Sequence, residues 1–92
     1  MTNYRATVHV SLRPGIADPQ GLTIERALPA LGYTGVSDVR VGKLIEFDLN
    51  ASDATEAESK VGEMCERLLA NTVIESYSVS IANGSADVGR ES

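Results

Sequence analysis

From Tyr4 to Leu12 the chain alternates apolar and polar positions almost without fault. Tyr4, Ala6, Val8, Val10 and Leu12 share one parity, and Arg5, Thr7, His9 and Ser11 the other. A period of two predicts a strand with one buried side. Arg13-Pro14-Gly15 ends it, because Pro14 has no N–H to give a ladder and Gly15 permits a turn. Asp18 then offers a carboxylate to cap free backbone N–H groups, and Pro19 suits a first helical position. Ile24, Ala27, Leu28 and Leu31 recur at helical spacing, which predicts one apolar stripe. Gly32 is placed to close this helix in a left-handed conformation, and Pro29 should bend or loosen its last turn.

Residues 36–41 and 44–50 read as the two arms of a hairpin. Val39, Val41, Ile45, Phe47 and Leu49 share odd numbering. A three-residue loop, Gly42-Lys43-Leu44, would set 41 opposite 45 and 39 opposite 47, keeping all the apolar side chains on one face. It would also hold Gly42 or Lys43 in an unusual backbone conformation. A second helix follows, capped by Ser52 or Asp53 with Glu56 placed to complete a capping box from Asp53. Its stripe is Ala54, Ala57, Val61, Met64, Cys65, Leu68 and Leu69, the longest helical period in the chain. Asn71 suits the helix exit, since Asn tolerates positive φ. A last strand turns Tyr77, Val79 and Ile81 inward and Ser76, Ser78 and Ser80 outward. The order β-α-β-β-α-β predicts an α+β fold: a four-stranded antiparallel sheet with two helices on one face, the ferredoxin-like arrangement. One domain spans residues 1–82, and residues 83–92 are small and polar, as in a disordered tail.

Composition narrows the function classes. The 92 residues suffice for one modest core, and assembly would add stability that a domain of this size has little of. Eight basic against thirteen acidic residues give a net charge of −5, which argues against a nucleic-acid partner. One cysteine excludes an intrachain disulfide, and no apolar stretch approaches a membrane span or a signal sequence. The expected setting is the cytoplasm, with no membrane partner.

Candidate chemistry is sparse. His9 lies on the polar face of the first strand, where an exposed or hydrogen-bonded role is the expectation. A metal site needs several converging ligands, and the sequence has one His and one Cys. Cys65 sits in an apolar stripe, where cysteine packs as a small hydrophobe and is no nucleophile. Glu46 and Asp48 share the outer side of a strand without any accompanying pocket or oxyanion-stabilising segment. Val41-Gly42-Lys43 falls far short of a phosphate loop, and the sheet lacks the aromatics on which RNA-recognition domains stack bases. No catalytic, cofactor-binding or metal-binding residue is expected.

Several words of the sequence resemble the PurS family. Arg13-Pro14-Gly15-Ile16-Ala17-Asp18-Pro19-Gln20-Gly21 is similar to the family segment K-P-G-x-x-D-P-Q-G. Leu31-Gly32-Tyr33 and Asp38-Val39-Arg40-Val41-Gly42-Lys43 follow in the family's order, as do the segments Met64 to Asn71 and Val73 to Tyr77. Arg13 departs from the usual Lys, and Thr72 from the usual Pro. The resemblance implies a non-catalytic small subunit of phosphoribosylformylglycinamidine synthase, a ligase of purine biosynthesis. Such subunits form a homodimer or tetramer. They bridge a glutaminase subunit and a large synthetase subunit, which uses ATP and Mg, and support ammonia transfer between them. Arg13, Arg40 and Lys43, at turns or on the outer face, are then the expected partner contacts. Pro14, Asp18, Pro19, Gly21, Gly42 and Asn71 are expected to fix turns and caps. The alternative is a free-standing regulatory domain of ACT-like type that binds a small metabolite; a small acylphosphatase-like enzyme is a further rival on the same topology.

Overall fold

The computed structural model describes residues 1–83. Three strands, β1 (Thr2–Leu12), β2 (Gly42–Ala51) and β3 (Glu75–Asn83), pair antiparallel in the order β2-β1-β3. Between them come α1 (Pro19–Ala27), which tightens into a 3-10 turn at Leu28–Leu31, and α2 (Ala54–Met64), which widens into a π turn at Cys65–Leu69.

The alternation of β1 sets the register on both sides. Val8 lies opposite Ile45 and Val79, and Ala6 opposite Phe47 and Ile81. These inward side chains meet Val61 and Cys65 of α2, so Ala6, Val8, Val10, Val61 and Cys65 are all but sealed from solvent. On the outer face Arg5 sits opposite Asp48 and pairs with it at 3.2 Å, with Glu46 at 3.7 Å. Ser11 and Ser76 face each other there as well.

Helix caps follow the sequence closely. Asp18 accepts the Gly21 N–H at 2.9 Å with Pro19 at the first position, and Asp53 accepts the Glu56 N–H at 2.8 Å. Glu56 reaches back to the Ser52 N–H at 2.6 Å, one residue before the cap itself. The Ser52 N–H foremost, and the Ser52 side chain after it, hold the Glu56 carboxyl below its ordinary value. Gly32 closes the 3-10 turn at φ 95°, and Pro29 lies within that turn, where the regular helix has already given way.

Several expectations need correction. The described residues form three strands, not four: residues 36–41 are irregular, and the strand before α2 pairs with β1. The reason is local. The Val39 and Val41 N–H groups are taken by the carboxylates of Glu25, at 3.2 Å, and Asp18, at 2.9 Å, and Asp38 turns the chain at φ 59°. No hairpin therefore sets 41 opposite 45. Gly42 and Lys43 are not among the residues at positive φ; Gly42 instead opens β2 opposite Ser11, where a Cβ would stand 2.7 Å from the Val10 carbonyl.

The helices also differ from expectation. α2 packs on all three strands, whereas Gly21 is the one buried residue of α1, and Ile24, Ala27 and Leu31 are exposed. Asp18 at its cap and Glu25 near its end bond α1 to residues 39–41 and hold it beside them. Within the stripe of α2, the π turn leaves Leu68 82% exposed while Cys65 and Ala70 stay buried. Asn71 does not adopt positive φ. It makes a turn through its side chain, which accepts the Val73 N–H, and its carbonyl accepts the N–H groups of Ile74 and Glu75. Asn83 belongs to β3, opposite Tyr4; the remainder of the expected tail lies outside the described residues.

Candidate subunit interface

The residues singled out in the sequence gather at one corner, where β1 ends, β2 begins and α1 starts. Asp18 is the centre of it. Its carboxylate accepts from the N–H of Val41 and of Gly21, and Arg40 Nε lies 3.9 Å away. The two backbone donors, Val41 foremost, hold its pKa below the ordinary value against the opposing effect of burial, and Arg40 adds to them. A carboxylate so furnished with donors stays ionised and ties α1 to the start of β2. Gly21 has its own reason to lack a side chain, because a Cβ there would run into the Val39 carbonyl.

Arg13 clamps the other side of the corner. Its Nε and Nη2 both donate to the Thr72 carbonyl, at 3.1 and 3.0 Å, while its backbone N–H donates to Ile74. The two positions that depart from the family pattern thus touch each other. A lysine could not give this fork of two donors to one oxygen. Arg40 Nη2 reaches the Arg13 carbonyl at 3.5 Å. Lys43, 58% exposed, stands 4.0 Å from the Glu75 carboxylate. Glu75 also accepts the Asn71 N–H at 2.7 Å. Pro14 and Gly15, the latter at φ 87°, turn the chain out of β1.

Between Asp18, Lys43 and Glu75 lies an open cleft of about 290 Å³, lined also by Val10, Leu12 and Gln20 among others. The three cations expected at a partner contact are therefore brought together, yet not equally free. Arg13 is committed to the fold, Arg40 is shared with Asp18, and Lys43 is the most available. Sequence reasoning missed Glu25, Thr72 and Glu75, which hold this corner together. Their bonds join residues distant in sequence or run through a backbone carbonyl, and neither leaves a periodic trace.

Elsewhere the chemistry is quiet. His9 is exposed between Leu44 and Ser78. Burial, then the nearby Glu66, push the Cys65 thiol up, away from the thiolate. Tyr77 donates to Glu66 at 2.6 Å; that bond, with burial, raises its phenol. Among the described residues no group of three or more His, Cys, Asp or Glu converges as a metal site would require, and no helix is long and apolar enough to cross a membrane.

Comparison with known proteins points in one direction. The family model described as PurS, phosphoribosylformylglycinamidine (FGAM) synthase, matches residues 5–83. The PurS subunit of that synthase from Synechocystis is 47% identical over 79 residues, covering 86% of this chain and 79% of the relative. The structure of Bacillus subtilis PurS superimposes with a TM-score of 0.77 at 44% identity, over 86% of this chain and 98% of that one. A chain of the PurLQS structure from Thermotoga maritima gives a TM-score of 0.81 at 34% identity, over 89% of this chain and all of the other.

Proposed function

The chain belongs to the PurS family, and on that premise we propose that it is the non-catalytic small subunit of phosphoribosylformylglycinamidine synthase. In this reading it joins a glutaminase subunit to a large synthetase subunit in the cytoplasm, and it acts as a homodimer or tetramer. The glutaminase carries the nucleophile that releases ammonia. The large subunit binds ATP, Mg and formylglycinamide ribonucleotide and makes the amidine. Ammonia set free in water is protonated and diluted, so the two active sites need a closed route, and a small adaptor helps to seal it. A fourth strand completing the ferredoxin-like sheet would have to come from outside residues 1–83, through pairing at the free edge of β2 or β3.

The observation that carries the proposal is the family match across residues 5–83, nearly the whole described chain. Likeness to a chain of the PurLQS structure supports a role within an assembly. The corner built by Asp18, Arg13 and Arg40 offers a rigid, polar surface from which Lys43 projects.

The test is amidine formation by the glutaminase and synthetase subunits, with and without this chain, fed either glutamine or free ammonia. The glutamine-driven rate should depend on the chain, and the ammonia-driven rate should hardly change. If neither rate responds, the adaptor reading fails.

A further inference from the structure

The connection from α2 to β3 carries the two most exposed large apolar side chains after Met1, Leu68 at 82% and Val73 at 81%. Scattered apolar residues on a surface need no explanation. These two differ because the chain is built to hold them out. In a regular helix Leu68 would follow Val61 and Cys65 on the buried stripe, at i, i+4 and i+7. The π turn, closed by the Ala70 N–H on the Cys65 carbonyl, gives that place to Leu69 and turns Leu68 to solvent. Such turns are rare and recur at functional sites.

Val73 stands on a turn with little freedom. Its N–H bonds to the Asn71 side chain, and the Ile74 and Glu75 N–H groups bond to the Asn71 carbonyl. The Asn71 N–H goes to the Glu75 carboxylate, and the Thr72 and Ile74 carbonyls both accept from Arg13. An apolar side chain held out on so rigid a turn loses little entropy when it is covered. Two cations flank the pair. Arg67 is exposed next to Leu68, and Arg13 is exposed and bound to Thr72, the neighbour of Val73. Among the described residues neither arginine forms an ion pair. Glu66, the nearest acid in sequence to Leu68, is engaged by the Tyr77 hydroxyl.

We infer that Leu68 and Val73 are the apolar anchors of a docking surface, and that its partner is a different polypeptide, apolar where it receives the two side chains and acidic around them. This rests on the adaptor role proposed above and gives that role a surface beyond the Asp18 corner. Shape and charge both set a second copy aside. About a two-fold axis the patch would meet itself, projecting side chain against projecting side chain and arginine against arginine. Like charges so placed oppose binding, whereas carboxylates on a partner's rim would match both arginines. Apolar anchors at the centre with charges at the edge are the anatomy of a specific interface.

Calorimetric titration of the chain into the glutaminase and synthetase subunits together tests the surface. Leu68→Ser with Val73→Ser should raise the dissociation constant at least about tenfold. The melting curve and the sedimentation profile of the free chain should stay as they are. Native affinity in the double variant overturns the inference. So does a free variant that sediments as a smaller species, because the two residues would then hold copies of this chain together. Arg67→Glu should weaken binding at low salt and lose its effect as salt is added. Equal or tighter binding at low salt would mean that no acidic rim faces it. A benzophenone amino acid at position 73 gives an independent reading: crosslinks to one of the two subunits are expected, and crosslinks confined to this chain overturn the inference. A native chain that binds neither subunit ends the adaptor reading and this inference together. A double variant that binds as the native chain does ends the inference alone and leaves the adaptor function standing.

Discussion

Asp18 concentrates more of the structure than any other side chain. It caps α1, binds the Val41 N–H and faces Arg40, and it is 7% exposed. Its folded pKa lies below the ordinary 3.8. A depressed carboxylate contributes stability that is complete above the unfolded value and is lost as pH falls through the folded one. Asp18→Asn should therefore melt several degrees below the native chain at pH 7, and the gap should begin to narrow near pH 4 and close as pH falls through the folded value. A gap that persisted into acid would mean that charge has no part in the latch. Two glycines offer an opposite pair of outcomes. Gly21→Ala drives a methyl into the Val39 carbonyl and should cost about 1–3 kcal/mol. Gly62→Ala, inside α2 with nothing near its Cβ, should gain about 0.5–1 kcal/mol. Urea denaturation measures both.

At the scale of elements, α2 is where periodicity both informs and misleads. The stripe identifies the helix and its buried Ala57, Val61 and Cys65. It cannot show that the Ala70 N–H bonds to the Cys65 carbonyl, a π step that rotates Leu68 out to solvent. Val61→Ala should thus cost on the order of 1–3 kcal/mol, as methyls are lost from the core. Leu68→Ser should change stability by less than about 0.5 kcal/mol. A large loss from Leu68→Ser would show that an ordinary helical turn persists there. The same contrast runs through the chain. β1, the inward parity of β2 and β3, and both helix caps were legible, because each depends on neighbours two to four residues away. The fold of residues 36–41 was not, since its valine-rich pattern suits a strand and only bonds from Asp18 and Glu25, 23 and 14 residues away in sequence, decide otherwise. Asp18 was legible as a cap and the three cations only through the family resemblance, while Glu25, Thr72, Glu75 and the geometry of the corner were not legible at all.

For the whole molecule the question is how an acidic chain presents its few cations. Arg13, Arg40 and Lys43 meet at one corner against a net charge of −5. Arg40→Glu would set a like charge beside Asp18 and weaken the latch, so a loss of assembly in that variant would confound contact with folding. Lys43 is the cleaner probe. Its pair with Glu75 spans 4.0 Å at an exposed site, the kind of contact worth about 0–1 kcal/mol, so Lys43→Glu should lower the melting temperature by no more than about 8 °C. If a partner subunit places acidic groups against this corner, the same change should raise the dissociation constant of the assembled complex about tenfold at low salt. Added salt should shrink that difference, because screening removes the attraction and the repulsion alike. Titration of the variant into the other two subunits at two ionic strengths measures it. Native affinity at both would take Lys43 out of the interface and leave the corner with a purely architectural role.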